Sequence, residues 1–393
     1  MITPERPRIL VVDDNDDNRY TLTFYLDLEG YKDVTTANDG EEAVALLETE
    51  DFDLVLLDVM MPRLDGYGVL AWLKAKDRLH NIPVIMISAL NEMTAVVRCV
   101  EMGAVDYLTK PFNPVLLRAR LGASLEKKRL RDELYAHLAR LQREMDAARR
   151  LQMGMVPQSF PAPSPEFPWD IHASIAPALE VGGDLYDVFR AADGSLCFFI
   201  GDVAGKGMPA ALFMARTKSI IRIVTELTSS ASAPADPAAI ITRVNRELCQ
   251  SNDAVMFVTL FFGILSPATG ILTYCNAGHN PPYWIKDSKV EPIEDAAGLV
   301  LGIEPGAAYQ AASVALTPDD RLFLYTDGVT EAFNAADDLF GEPRLEAALI
   351  RHAGSCADMV GAVAAAVEAF VGTAPRSDDI AMLALRIVPA STR

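Results

Sequence analysis

The stretch VLLDVMMPRLDGYG, residues 55 to 68, stops an apolar run dead on a carboxylate, Asp58. A run this short makes a strand covered on both faces, and a charge at its tip must then sit in a cleft. In open parallel sheets, carboxylates at strand ends face ligands. Pro62 cannot donate a ladder hydrogen bond and Gly66 permits a sharp turn, so the strand ends there. Alone, Asp58 would read as the cap of the next helix.

It does not stand alone. RILVVDDND (8 to 16) is a second apolar strand breaking on Asp13 and Asp14, IPVIMISAL (82 to 90) ends on the Ser88 hydroxyl, and AVDYLTKPF (104 to 112) ends on Lys110 before Pro111. Between them TLTFYLDLEG, EEAVALLET and YGVLAWLKAK carry helical periodicity. Alternating strands and helices with right-handed crossovers give a parallel sheet with helices on both faces. Three clustered acids repel unless a cation joins them, and oxygen-only ligands favour a hard ion such as magnesium. Lys110 offsets part of the remaining charge. Asp58 is thereby set up as a nucleophile toward a phosphoryl group.

The motifs VVDD, LLDVMMPRLDG, the serine of MISA and DYLTKPF together resemble the receiver domain of two-component response regulators, over residues 1 to 120. The resemblance implies a doubly wound, five-stranded α/β domain in which Asp58 accepts phosphate from a histidine kinase. It also implies that Asp14, Asp58 and the Met60 carbonyl bind Mg2+ with Asp13 assisting, that Ser88 and Tyr107 form a switch pair, and that Lys110 meets the phosphate. Without the motif around it, Tyr107 would read equally as a packed aromatic beside Leu108.

At 393 residues, half of them apolar, two or three domains are expected. No apolar run reaches membrane-spanning length and no signal-peptide pattern opens the chain, so a cytoplasmic protein is expected. Cys99, Cys197, Cys249, Cys275 and Cys356 are scattered without a CxxC pair, which reads as buried thiols rather than disulfides or a thiolate metal site. A net charge of −19 argues against nucleic-acid binding, and no helix-turn-helix pattern appears.

After Pro114 no proline occurs until Pro157, which predicts a long helix and a helical linker over residues 121 to 156. Leu134, Leu138, Leu141, Met145 and Ala148 step by four and three, the spacing of a heptad seam. A homodimeric coiled coil explains that stripe, and so does a helix lying on its own domain. PQSFPAPSPEFP (157 to 168) is a non-helical connector opening a further domain, taken as 157 to 390. There SLCFFIGDVAGKG, VMFVTLFFGILS, GILTYCNAGHNPPYW and DRLFLYTDGVTEA read as antiparallel strands, and PAALFMARTKSIIRIVTELT and PAAIITRVNRELCQ as helices.

Acids again stand at strand ends: Asp184 and Asp187 after paired glycines, Asp202 after an apolar run, Asp327, and Asp378 with Asp379 before a last strand. Asp-Gly alone is a common hairpin turn. The ensemble, with glycines allowing close backbone approach, fits two hard divalent ions better than separate turns.

The ordered set GGDLYD, GDVAGKG, NAGHNPP, YTDGVTE and DDIAML resembles PP2C-type, metal-dependent serine/threonine phosphatases of the SpoIIE and RsbU kind, over residues 150 to 388. The resemblance implies an α+β sandwich of two antiparallel sheets flanked by helices, holding two Mn2+ or Mg2+ ions. In it Asp202 bridges the metals, Asp184 and the Val203 carbonyl complete individual shells, and Asp327 and Asp378 bind from the opposite side, with Asp379 the alternative to Asp378. Asp202 and Asp327 are the expected catalytic residues. His279 reads either as an acid toward the leaving oxygen or as a loop histidine satisfying the backbone, and Lys206 either meets substrate phosphate or stays solvated. No arginine suggests itself as a phosphate clamp. The implied substrate is a phosphorylated anti-sigma-factor antagonist, as in partner-switching stress pathways. The rival is a non-catalytic adaptor that binds a sigma factor or anti-sigma regulator; such adaptors tend to lose the acids that stand intact here.

Overall fold

The computed structural model describes residues 7–89, 93–164, 168–229, 235–286, 289–295, 297–318, 320–351 and 354–388. Leu90, residues 165–167 of the proline-rich connector and the last two residues of the expected third segment lie outside the described residues. The chain divides into two compact units, Met1–Leu141 and Gln142–Arg393.

The first unit alternates strands and helices: β1 (Arg8–Val12), α1 (Asp16–Leu28), β2 (Asp33–Ala37), α2 (Gly40–Thr49), β3 (Leu54–Asp58), α3 (Gly66–Ala75), β4 (Val84–Ser88), α4 (Met93–Met102), β5 (Asp106–Thr109) and the start of α5 (Pro114–Met155). All five strands pair in parallel in the order β2-β1-β3-β4-β5. Leu10, Val12, Val55 and Leu57 pack on one face while Ile9, Val11, Leu54 and Leu56 pack on the other. The central strands β1, β3 and β4 are therefore apolar except at Arg8, Asp58 and Ser88, which is what helices on both faces require.

Gly66 plays a different part from the turn read at the sequence level. It is the first residue of α3, and a Cβ there would overlap the Asp58 carbonyl. Only glycine lets the helix start so close to the tip of β3.

The second unit runs β6 (Trp169–Ala176), β7 (Leu185–Arg190), β8 (Leu196–Val203), α6 (Met208–Thr228), α7 (Pro237–Cys249), β9 (Val258–Leu265), β10 (Ile271–Ala277), β11 (Tyr283–Lys286), β12 (Lys289–Pro292), β13 (Ala312–Ala315), β14 (Arg321–Tyr325), α8 (Gly341–Arg351), α9 (Cys356–Val371) and β15 (Ile380–Ile387). Two antiparallel sheets form, β13-β10-β9-β8-β7 and β12-β11-β14-β15-β6. The strand period of two decides what each residue meets. On β8, Leu196, Phe198 and Ile200 join Phe261, Leu322, Leu324, Leu383 and Leu385 between the sheets, whereas Cys197 and Phe199 pack with Met214, Ile221 and Val244 of α6 and α7. On the other sheet Phe323, Tyr325 and Met382 pack with Leu345, Met359 and Val363 of α8 and α9. The order is helices, sheet, sheet, helices.

Helix α5 is continuous across the division between units. Leu117 and Leu121 near its start are buried in the first core, and Val156 just past its end is buried in the second. Between them Leu134, Leu138 and Leu141 are 58%, 52% and 53% exposed. Met145 and Ala148, the last two residues of the stripe, are half-buried. Among the described residues no helix is long and apolar enough to cross a membrane. Of the cysteines, Cys249 is half-buried and the other four are buried, all with free thiols.

Candidate functional site

In the first unit, Asp13 follows β1, Asp58 ends β3, Ser88 ends β4 and Lys110 follows β5, so adjacent parallel strands deliver all four to one edge. One carboxylate oxygen each from Asp13, Asp14 and Asp58 lie within 4.8 Å of one another. Lys110 Nζ spans two of them, 2.8 Å from Asp13 Oδ2 and 2.9 Å from Asp58 Oδ2. Asp13 is fully buried, and its Oδ1 accepts from the Asn15 backbone and the Asn18 side chain, both at 3.0 Å. Burial raises the Asp58 carboxyl above its ordinary range and Asp13 adds to this, with Lys110 opposing. For Lys110, burial alone would lower the ammonium, but its hydrogen bonds to Asp13 and Asp58 outweigh it and the net shift is upward. The lysine stays charged where charge is wanted.

Ser88 is buried. Tyr107 is half-buried, with the Arg120 guanidinium 4.9 Å from its ring centroid. The Met60 side chain is exposed, which leaves its carbonyl as the group of interest. Three carboxylate oxygens, with a lysine already drawn to them, form a donor set suited to a hard divalent cation.

In the second unit, Asp184 precedes β7, Asp202 lies near the end of β8, Asp327 opens a short 3-10 turn after β14, and Asp378 precedes β15. The Asp-Gly pair at 327 is thus a 3-10 start and not a hairpin turn. Register explains the convergence: Leu185 pairs Gly201 in one sheet and Tyr325 pairs Met382 in the other. Both sheets therefore end at the acids.

Two hydrogen-bond sets hold these like charges together. Thr326 Oγ1 donates to Asp184 Oδ2 at 2.7 Å and accepts from the Ala381 backbone at 2.9 Å, joining one sheet to the other. Asp379 accepts from Ala178 N at 2.7 Å and Gly183 N at 2.6 Å, so both its oxygens are occupied by backbone amides. A Cβ at Gly182 would overlap the Asp379 carboxylate, and one at Gly328 the Asp379 carbonyl. This is the close approach that the paired glycines allow. Asp378, by contrast, faces Lys206, whose Nζ lies 3.0 Å from Asp378 Oδ2 and donates to the Ser377 carbonyl at 2.6 Å. Lys206, although half-exposed, is thus paired with a carboxylate and a carbonyl rather than simply solvated.

The acids remain under electrostatic load. Burial, with Asp202 next, raises Asp184 well above its ordinary range. Burial followed by repulsion from Asp327 and Asp378 pushes Asp202 up to about 7, and burial followed by Glu331 and Asp378 raises Asp327. An all-oxygen, over-charged set of this kind fits hard divalent ions.

The model of the family described as stage II sporulation protein E (SpoIIE) matches residues 192–388, half of the chain. The chain belongs to the SpoIIE family. A response regulator receiver domain matches residues 9–122. The chain is 28% identical over 263 residues to protein IcfG of Synechocystis, covering 62% of this chain and 41% of that one. It is 44% identical over 122 residues to the probable transcriptional regulator ycf27 of Cyanophora paradoxa, covering 31% of this chain and 49% of that one. It thus spans less than half the length of either relative. The SiaA-PP2C domain of Pseudomonas aeruginosa shares the fold, with a TM-score of 0.56 at 24% identity over 64% of this chain and 98% of that one. A receiver domain and a PP2C-type domain are therefore joined in one chain.

Asp187, grouped with the strand-end acids on sequence grounds, is not at the SpoIIE-domain acid cluster. It sits inside β7, fully buried, ion-paired to Lys218 and Arg222 of α6. It lies three positions after Asp184, an odd step that turns a strand residue to the opposite face. His279 is buried, its Nδ1 2.9 Å from Thr259 Oγ1, while the Asn276 side chain holds both its backbone N–H (2.8 Å) and its carbonyl (2.9 Å). Burial lowers its pKa to about 4, with the Tyr325 backbone opposing. The imidazole is thus kept neutral near neutrality, while the Asn276 side chain grips the loop backbone. Thr326 and Gln152, which brace the site, escaped the sequence reading, although Thr326 stands inside the YTDG motif.

His279 therefore titrates near pH 4 in the folded chain, against 6.5 ordinarily. Between those values the unfolded chain takes up a proton the folded one refuses, so stability falls as pH drops through this window, by about 3 kcal/mol in full. The His279 ring-proton shift followed by NMR should show a midpoint near 4, and His279→Gln should remove this part of the acid sensitivity. A midpoint near 6.5 would contradict the burial argument.

Proposed function

We propose that this chain is a response regulator in which phosphorylation of Asp58 controls a metal-dependent protein serine/threonine phosphatase. What supports the reading is the repulsion that Asp327 and Asp378 of one sheet exert on Asp202 of the other, with Asp184 hydrogen-bonded beside it. A non-catalytic adaptor has no need to maintain such repulsion.

In the receiver, Asp58 is the nucleophile and Lys110 the cation that meets the incoming phosphoryl oxygens, a histidine kinase being the donor. Asp13, Asp14, Asp58 and the Met60 carbonyl hold Mg2+, and Ser88 with Tyr107 transmits the change. In the phosphatase domain Asp184, Asp202 and the Val203 carbonyl, from one sheet, and Asp327 and Asp378, from the other, hold two Mn2+ or Mg2+ ions. Asp379 serves as an anchor for Ala178 and Gly183 rather than as a ligand. Bound there, such ions supply Lewis-acid activation of a water and neutralise charge on a phosphoester. Asp202 and Asp327 fix the position of that chemistry. Lys206, ion-paired to Asp378, would be free to turn toward substrate phosphate were Asp378 neutralised by a cation.

The division proposed is receiver 1–120, helical linker 121–156 and phosphatase 157–390. The substrate proposed is a phosphoserine or phosphothreonine on an anti-sigma-factor antagonist, in the cytoplasm. The exposed seam of α5 pairs two chains as a coiled coil.

Hydrolysis and mass each give a direct test. Asp202→Asn and Asp327→Asn should each reduce Mn2+-dependent hydrolysis of a phosphoserine peptide to background while acetyl phosphate still labels the receiver; Asp58→Asn should abolish labelling and leave the metal-dependent hydrolysis measurable. Folded Asp202→Asn protein with ordinary turnover would refute the phosphatase reading. Light scattering should give a mass of two chains, falling to one for Leu138→Lys with Leu141→Lys; an unaltered mass would refute the seam.

A further inference from the structure

Gln152 lies in the last turn of α5, yet unlike its exposed neighbour Leu151 it is 7% exposed. Its side-chain amide pairs with the backbone of one residue: Nε2 donates to the Gly182 carbonyl at 2.6 Å, and Oε1 accepts from the Gly182 N–H at 3.1 Å. A helix-end glutamine has easy access to water, and burying it with both polar ends committed to a single glycine thirty residues away marks a purpose-built contact.

Gly182 matters because it leads directly into the acid cluster. Gly182, Gly183 and Asp184 are fixed at three successive residues, Gly182 by Gln152, Gly183 by the Asp379 carboxylate and Asp184 by the Thr326 hydroxyl. Asp379 and Thr326 belong to the sheet that carries Asp327. Gln152 alone comes from the helix. The helix end is itself seated, since the Val156 side chain is buried between the sheets and Tyr186 Oη donates to the Pro157 carbonyl at 2.7 Å.

We infer that Gln152 is a positioning residue that holds Gly182–Asp184 so that the Asp184 carboxylate faces Asp202 and the acids of the opposite sheet. The inference rests on the phosphatase reading above. It assigns to one amide the setting of the metal-binding loop by the linker helix. At about 100° per residue, even a modest rotation of α5 swings that amide off Gly182.

Gln152→Met keeps length and volume but offers neither bond, and Gln152→Glu keeps the acceptor but cannot donate to the Gly182 carbonyl. Supports of this kind typically cost 10- to 100-fold in metal affinity when removed. In full-length Gln152→Met, the Mn2+ concentration for half-maximal hydrolysis should rise roughly tenfold or more, with activity recovered at high Mn2+. Mn2+ binding by calorimetry should weaken in parallel, and the Gly182 and Gly183 amides should exchange faster with solvent. Gln152→Glu should fall between, and serves alone if the Met variant does not fold. A purely structural role predicts a lower melting temperature with unchanged Mn2+ dependence and exchange at the glycines, and that result overturns the inference while leaving the phosphatase reading standing. Wild-type protein with no Mn2+-dependent hydrolysis, and Mn2+ binding indifferent to Asp202→Asn, overturns both.

Discussion

Like charges do not assemble unless something else holds them, and in the second unit that something is the Thr326 hydroxyl bound to Asp184 across the two sheets. The same hydroxyl accepts from Ala381 at the start of β15, so a single oxygen registers one sheet against the other at the level of the acids. Asp379 adds a second tie by spending its charge on two backbone amides. Charge-assisted bonds of this kind are stronger than neutral ones and need not be relieved by a cation. Burial, and after it repulsion from Asp327 and Asp378, push Asp202 up to about 7.

The receiver solves the same problem differently. There a lysine just past the edge strand β5, Lys110, lies between Asp13 and Asp58, and the surrounding carboxylates raise its affinity for its own proton. Asp58 is thus kept in a partly neutralised setting. In the SpoIIE-family domain Lys206 has a looser version of that part, held by Asp378 and a carbonyl. Both sites stand at strand ends because only there does a covered sheet open to a ligand.

Much of this was legible in the chain. Apolar runs that end on acids announced β1, β3, β8 and β14, since a residue buried on either face must be apolar and the interruption is then conspicuous. β2, DVTTA, is an edge strand half open to water and carries no such run, so its existence came only from the resemblance. Helices α8 and α9 went unread. The placement of Asp187 followed proximity in sequence, where strand alternation sends it to the opposite face from Asp184. The supports were invisible for a plainer reason. Thr326 meets a residue 142 positions away and Gln152 one 30 away, and neither a threonine nor a glutamine advertises such a partner.

The central claim is that events at Asp58 set the rate at the second acid cluster. It is tested by the Mn2+-dependent hydrolysis rate of a phosphoserine peptide, measured on the full chain with and without beryllofluoride and Mg2+, in wild-type and Asp58→Asn protein. The account predicts a change of at least about fivefold in the wild type, the low end of ordinary coupling between sites, and none in Asp58→Asn. Equal rates with and without beryllofluoride in an active, folded wild-type protein would contradict it.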